Sequence, residues 1–214
     1  MRIGQRKELR REFEIYQRLP PHPRLVRILG FSDEVIDGDR GLFEYMPRGD
    51  LRSFLRSDAD IAMERRLRWC AEAAEAVTLL HSHNVLHCDI RPDNMLLDQE
   101  FGLRLIDLCG SIDGKETLAL ESTQFSLPRG NEYPLCTVTS DLFALGSSFY
   151  EILTRKEPYA DITCDEDVEA HYMRKEFPLV ADLPLGDIIQ GCWMGNFGLA
   201  AEIHAVIEKD IKKV

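Results

Sequence analysis

The sequence has no excess of basic charge, no long apolar run and no closely paired cysteines, and each absence excludes a class of protein. Its net charge of −11 at pH 7 argues against a duplex nucleic-acid binder, which would present a basic surface. No stretch approaches the ~20 apolar residues of a membrane span, and the N-terminal MRIGQRKELRR lacks the apolar core of a signal peptide. We therefore expect an intracellular, cytoplasmic protein that binds neither nucleic acid nor membrane.

The cysteines are scattered. There are six of them, and none forms a C-x-x-C pair: Cys70, Cys88, Cys109, Cys136, Cys164 and Cys192. This spacing predicts neither a zinc site nor a disulfide framework. The 214 residues, 44% hydrophobic and 29% charged, are typical of a soluble globular protein with one sizeable domain or a small domain and an appendage.

The stretch HCDIRPDNMLLDQEFGLRLIDLCG, residues 87 to 110, sets three polar side chains between two apolar runs. Its pattern predicts loop, strand, turn, strand and loop. Asp89 precedes Asn94 by five residues, and Asn94 precedes Asp107 by thirteen. A hairpin of the two strands would fold Asp107 back beside Asn94 and leave Asp89 at the rim of the same space.

Two oxygen donors and a free carboxylate at one point suit Mg²⁺, which takes one or two carboxylates and completes its shell with water and phosphate oxygens. The free carboxylate can then accept a proton from a hydroxyl. Each residue taken singly also has an ordinary structural interpretation. Asp89 could form a turn, Asn94 could cap a helix or strand, and Asp107 could be a solvated strand end.

These residues resemble the eukaryotic protein kinases. HCDIRPDN is similar to the catalytic loop H-R-D-L-x-x-x-N, and DLCG is similar to D-F-G. The resemblance implies an enzyme that uses ATP and Mg²⁺ on a protein substrate, with Asp89 as catalytic base and Arg91 as a contact to the transferred phosphate. It makes Asn94 and Asp107 the metal ligands. Cys88 replaces the arginine that in many kinases pairs with an activation-loop phosphate, which puts that form of regulation in doubt.

The resemblance extends towards the N-terminus. Residues 4 to 19 have the periodicity of an amphipathic helix, and EFEIYQRLPPHPRLVRILGF is similar to kinase helix C and the strand after it, which makes Glu12 the partner of a strand-borne lysine. GLFEYMPRGDL is similar to the strand that leads to the kinase hinge. It implies nucleotide contacts from Glu44 and Met46, and the same resemblance adds Leu96. Asp50 could reach the ribose or cap the helix predicted from Leu51 to Leu55.

The resemblance also covers the C-terminal part. Residues 61 to 83 predict a long helix in which nothing looks catalytic. SDLFALGSSFYEILT, residues 140 to 154, is apolar nearly all round and predicts a buried helix, in which the resemblance makes Asp141 the buttress of the catalytic loop backbone. The polar stretch that ends near residue 126 corresponds to an activation segment. Its composition predicts that four residues are exposed: Ser111, Thr117, Ser122 and Thr123.

These features predict an α+β, mainly helical fold, with a partial small lobe at residues 1–48 and a kinase-like large lobe at 49–214. Only 11 residues precede Glu12, which leaves no room for a Gly-rich loop and a strand with a lysine. We therefore expect a serine/threonine-type kinase domain that is truncated at its N-terminus and whose transfer activity is near background. One alternative is a kinase-like scaffold without catalysis. Another is a small-molecule phosphotransferase, which also uses H-x-D-x-x-x-x-N.

Overall fold

The computed structural model describes residues 3–32, 40–108, 111–112, 121–130 and 135–211, and for residues 3–10, 31, 32, 40, 111 and 112 it describes the backbone alone. Much of the predicted activation segment, including 113–120, therefore lies outside the described residues, as do Cys109 and Gly110.

Seven α-helices form most of the regular structure of the described chain. They are α1 (Ile3–Arg18), α2 (Leu51–Leu55), α3 (Met63–Ser82), α4 (Val138–Thr154), α5 (Asp165–Met173), α6 (Gly186–Met194) and α7 (Ala200–Ile211). The four helices predicted from periodicity, over 4–19, 51–55, 61–83 and 140–154, are confirmed within two residues at each end.

The strands are short and pair two by two, all antiparallel. They are β1 (Ile28–Ser32) with β2 (Arg40–Phe43), β3 (Val85–Leu86) with β6 (Ser111–Ile112), and β4 (Met95–Leu97) with β5 (Leu103–Leu105). The β4–β5 pair is the hairpin that the sequence predicts within residues 87 to 110. A short 3₁₀ helix, Pro92–Asn94, leads into it.

Helix α4 is the centre of the core. Thr137 and Ser140 form a reciprocal capping box at its start, in which each side chain accepts from the other's backbone N–H. Phe143, Leu145 and Phe149 are fully buried, because α4 packs against both α3 and α6. The predicted all-round burial of this helix is confirmed.

Close packing of α4 and α6 requires glycine at one position. A Cβ built on Gly146 would lie 2.5 Å from the Cβ of Cys192, which is far inside van der Waals contact. The small residue therefore sets the distance between the two helices.

The predicted fold class, α+β and mainly helical, agrees with this arrangement. The division at residue 48 stays a prediction. Within the described ranges, no helix combines the length and apolar character that crossing a membrane requires.

Candidate active site

The hairpin β4–β5 brings two of the predicted site residues to one end. Met95 pairs with Leu105, and one step farther the backbone N–H of Ile106 donates to the carbonyl of Asn94 at 3.0 Å. Asp107 follows at once, with its backbone in the left-handed region (φ 64°). The strand register thus places Asn94 and Asp107 at the same end of the hairpin.

Asp89 lies beside Asn94 and is 95% buried. The Asn94 side-chain amide donates to the backbone carbonyl of Asp89 at 2.8 Å and to its carboxylate Oδ2 at 2.9 Å. Nε of Arg91 lies 3.2 Å from Oδ1 of Asp89, which is ion-pair distance without the alignment of a hydrogen bond. Burial raises the pKa of Asp89, although Arg91 and Asn94 oppose the rise. The carboxylate of Asp107 raises this pKa as well.

The loop that carries Asp89 is held by His87. The backbone N–H of Asp89 lies 3.3 Å from His87 Nδ1, and His87 Nε2 lies 3.1 Å from the carbonyl of Ile106. Since Nδ1 accepts, the ring proton is assigned to Nε2, which donates to that carbonyl. The His87 ring therefore ties the loop to the end of the hairpin.

Asp141 holds the same loop from below, as the sequence predicts. Its carboxylate accepts hydrogen bonds from the backbone N–H of His87 at 2.9 Å and of Cys88 at 3.0 Å. His81 Nε2 lies 2.9 Å from Asp141 Oδ2. Burial would raise the pKa of Asp141, but these contacts hold it below its usual value. Cys88 has a φ of 69°, and the paired acceptor stabilises that unfavourable conformation.

A third contact fixes the far side of the loop. Nε and Nη2 of Arg52, on α2, donate to the two carboxylate oxygens of Glu151 on α4 at 2.9 and 2.8 Å. Nη1 of Arg52 lies 2.5 Å from Oδ2 of Asp93, in the 3₁₀ helix after Asp89. Glu151 is fully buried. The bidentate pair therefore anchors the loop to the core.

Glu12 reaches the site from α1. It is 91% buried, and its Oε1 accepts from the backbone N–H of Leu108 at 3.3 Å. Burial, with a further contribution from the Asp107 carboxylate, raises the pKa of Glu12 to about 7. The hydroxyl of Tyr16 is buried nearby without a hydrogen-bond partner among the described residues. Within the described part of the chain, no lysine contacts Glu12.

The four residues predicted to contact the nucleotide lie in different environments. The side chain of Asp50 caps α2, since it accepts from the backbone N–H of Ser53 at 2.8 Å. Of the two interpretations of Asp50, helix capping is therefore the one observed. Leu96 is bridged to Asp50 and is the least buried residue of β4. Met46 is buried, with its carbonyl accepting from Gly49 at 3.2 Å. The side chain of Glu44 pairs with Arg104 at 2.6 Å.

A cavity of about 640 Å³ lies between the end of α1 and the strand after it. Its lining includes Leu19, Pro21, Val26 and Arg104. Of the predicted site residues, only Glu44 lines it, so the cavity is separate from the Asp89 site.

The structure adds residues that the sequence did not suggest. His81 was not expected to have any role beyond the helix, yet it contacts Asp141. Ser122 and Thr123 were expected to be exposed and are half-buried. Phe125 beside them is fully buried. This correction has a physical reason, because the end of the segment packs on the large lobe: the Tyr172 hydroxyl donates to the carbonyl of Gln124 at 2.7 Å.

Glu121 and Cys136 were also missed. Both carboxylate oxygens of Glu121 are buried without a partner among the described residues, and the Cys136 thiol donates to Asp141 Oδ1 at 3.5 Å. Nothing in their spacing could have indicated that they meet, since the polar composition around Glu121 favours exposure.

The residues present fit a magnesium ion. The Asn94 amide nitrogen is occupied by Asp89, which turns its carbonyl oxygen the other way, and the Asp107 carboxylate lies at the same end of the hairpin. One amide oxygen and one carboxylate are ligands that Mg²⁺ accepts, with water and phosphate oxygens as the others.

Comparisons with known proteins find similarity to protein kinases. The family model described as "Protein kinase domain" matches residues 2–190. The chain is 30% identical to Aurora kinase A-A of Xenopus laevis over 77% of its own length and 41% of the relative. It is 29% identical to a "Probable serine/threonine-protein kinase" of Dictyostelium discoideum, over 69% of this chain and 30% of that protein. A tyrosine-protein kinase receptor, svh-2 of Caenorhabditis elegans, is 25% identical over 82% of the chain and 18% of the receptor. The chain thus spans less than half the length of these curated relatives.

Proposed function

Because this chain belongs to the protein kinase domain family, we propose that it transfers the γ-phosphoryl group of ATP to serine or threonine hydroxyls of a protein substrate. The observation that carries the proposal is the convergence of Asp89, Asn94 and Asp107 at one end of the hairpin. A chain that served as a scaffold alone would have no physical need for all three. The Dictyostelium relative is named a serine/threonine-protein kinase and the Caenorhabditis relative a tyrosine-protein kinase receptor. The choice of serine or threonine as the acceptor is therefore the finer part of the proposal.

Asp89 would orient the substrate hydroxyl and accept its proton. Burial favours the protonated carboxyl, but Arg91 and the Asn94 amide stabilise the ionised form that a base requires. Arg91 would contact the transferred phosphate from its place beside Asp89, because its contact with Oδ1 lacks hydrogen-bond alignment. Asn94 and Asp107 would hold Mg²⁺. The ion would neutralise charge on the phosphate oxygens as the transfer proceeds.

A second function has one observation in its favour. Glu12 is buried beside Asp107, with no lysine in contact within the described residues, and one missing cation at a developing charge lowers a rate by roughly 10²–10³. This arrangement would suit a kinase-like scaffold that binds partners without catalysis. No comparable observation among the described residues supports the alternative of a small-molecule phosphotransferase.

Radiolabelled phosphate transfer to a mixed peptide library tests the proposal. We expect transfer near background from the 214-residue chain. A chimera that carries the Gly-rich loop and lysine strand of a relative before α1 should transfer phosphate to serine or threonine, and Asp89→Asn should abolish that transfer with little change in nucleotide affinity. The matched control is Asp58→Asn, an exposed acid after α2.

Two outcomes would count against this function. Transfer by the chimera that persists after Asp89→Asn would remove Asp89 as the base. A folded chimera that binds ATP and Mg²⁺ but transfers nothing would support the scaffold.

A further inference from the structure

Three side chains converge beneath the catalytic loop, outside the residues used above for phosphoryl transfer. They are Glu121, Cys136 and Asp141, and one ligand atom from each lies within 4.8 Å of those from the other two. Among the residues that the structure describes, no other group of three or more His, Cys, Asp or Glu side chains meets this condition. Cys136 and Asp141 lie five residues apart at the start of α4. Glu121 lies fifteen residues before Cys136, so the fold brings Glu121 to the other two.

The electrostatics of this cluster are unbalanced. Both oxygens of Glu121 are buried and have no hydrogen-bond partner among the described residues, which is costly for a carboxylate. The Asp141 carboxylate lies beside it, and the Cys136 thiol donates to Asp141 Oδ1 at 3.5 Å. Arg129 is the nearby cation that opposes the raised pKa of Glu121, but its side chain donates to the carbonyl of Leu135. The cluster therefore has several acceptors, and Arg129 beside it donates a hydrogen bond to neither Glu121 oxygen.

We propose that Glu121, Cys136 and Asp141 bind one divalent transition-metal ion, with Zn²⁺ the ion that fits best. One thiolate and two carboxylates are ligand types that Zn²⁺ accepts, and with three protein ligands a water completes the tetrahedron. The thiolate favours such an ion over Mg²⁺ or Ca²⁺, which prefer oxygen ligands throughout.

The existing hydrogen bonds are compatible with this ion. The Cys136 thiol proton now points at Asp141 Oδ1, and a metal ion between sulfur and oxygen would replace that proton and release it to water. Asp141 Oδ2 would keep its contacts with His81 and the backbone N–H of His87. The ion would then join the segment at Glu121 to α4 and, through Asp141, to the loop that carries Asp89.

The test uses the reduced, chelator-treated 214-residue chain, titrated with Co²⁺ as a spectroscopic probe and with Zn²⁺ by calorimetry. We expect one equivalent of Co²⁺ to produce the near-ultraviolet absorption of a cobalt–thiolate bond and Zn²⁺ to displace it. Cys136→Ser should abolish the absorption. Glu121→Gln should weaken Zn²⁺ binding by at least about 10–100-fold, since mutating a residue that only hydrogen-bonds to a metal ligand already lowers metal affinity by that factor.

The controls separate this site from the proposed kinase function. Cys164→Ser and Glu100→Gln change an exposed cysteine and an exposed acid outside the cluster, and both should bind Co²⁺ as the original chain does. Asp107→Asn should leave the cobalt–thiolate absorption unchanged, so failure of the Mg²⁺ site would not affect the result. Circular dichroism checks the fold of each variant. If Cys136→Ser does not fold, the Zn²⁺ affinity of Glu121→Gln still tests the proposal.

The proposal is overturned by a folded chain that gives no cobalt–thiolate absorption. It is also overturned if a folded Cys136→Ser variant keeps the absorption, if Cys164→Ser loses it, or if Glu121→Gln binds Zn²⁺ with unchanged affinity.

Discussion

The carboxylate of Asp141 lies 3.0 Å from the backbone nitrogen of Cys88, which makes a helix in the large lobe the support for the residue directly before Asp89. Neither residue is exposed, and the contact joins positions 53 residues apart in the sequence. The conformation of the loop is thus set from the core and not by the loop's own sequence.

Asp141→Ala should destabilise the fold by about 3–5 kcal/mol, since it leaves the buried N–H groups of His87 and Cys88 without their acceptor. Urea unfolding followed by circular dichroism measures the loss. Asp182→Asn, an exposed acid in a loop, is the control and should change the free energy of unfolding by less than about 0.5 kcal/mol. A loss of that small size for Asp141→Ala would mean that the loop does not depend on this carboxylate.

Arg52→Met should cost about 3–5 kcal/mol, because it leaves the buried Glu151 carboxylate without its bidentate partner. Adding Glu151→Gln should recover part of this cost, though not all, since Arg52 also pairs with Asp93. The exposed pair of Arg68 with Glu64 provides the comparison, and Arg68→Met should cost no more than ~1 kcal/mol. A double-mutant cycle by thermal unfolding makes the measurement, and additive losses at Arg52 and Glu151 would show that the two do not interact.

Asp107→Asn should remove most of the Mg²⁺ dependence of nucleotide binding, because the amide cannot supply the charge that the metal requires. Fluorescent-nucleotide titrations at several Mg²⁺ concentrations make the comparison with the original chain. The exposed Asp165→Asn variant should respond to Mg²⁺ as the original does. Equal responses from Asp107→Asn and the original chain would exclude Asp107 as a ligand.

Glu121→Gln should stabilise the metal-free chain at high pH. Burial raises the pKa of Glu121 from 4.5 to about 8, and the Asp141 carboxylate adds to the rise. Because the folded-state pKa is the higher one, the stability that the protonated carboxyl provides is complete below about pH 4.5 and is lost as the pH rises through about 8. The variant should match the original chain near pH 5 and exceed it near pH 9 by at least about 1 kcal/mol, or about 2–4 °C in Tm.

Differential scanning calorimetry in chelating buffer at the two pH values makes this measurement, with Glu100→Gln as the exposed control. An equal difference between variant and original at both pH values would show that Glu121 does not titrate in this range.

The sequence alone predicts those features of the fold that depend on a local pattern of residues. The alternation around Asn94 and Asp107 predicts the hairpin, and the all-round apolar character of residues 140 to 154 predicts the buried α4. The resemblance to protein kinases then implies that Asp141 supports the loop, because it supplies the long-range pairing that periodicity does not contain.

The rest depends on contacts between distant positions. His81 reaches Asp141 across 60 residues, and Arg52 reaches Glu151 across 99. No local pattern marks an arginine in a five-residue helix as the partner of a buried acid. Glu121 was missed for a related reason: composition predicts average exposure and cannot show that one acid in a polar segment turns inward.

The two attachments of the Asp89 loop, Asp141 before the base and Arg52 with Asp93 after it, also bear on how the chain opens. Releasing either end requires breaking a contact with α4, the most buried helix, so the loop cannot detach as a small independent unit. Its amide hydrogens at His87 and Cys88 should therefore exchange with solvent at the rate set by global unfolding, and proteases should not cut there in the native state. Any regulation of this domain must then act through the segments around the loop, since the loop itself has no low-energy open form.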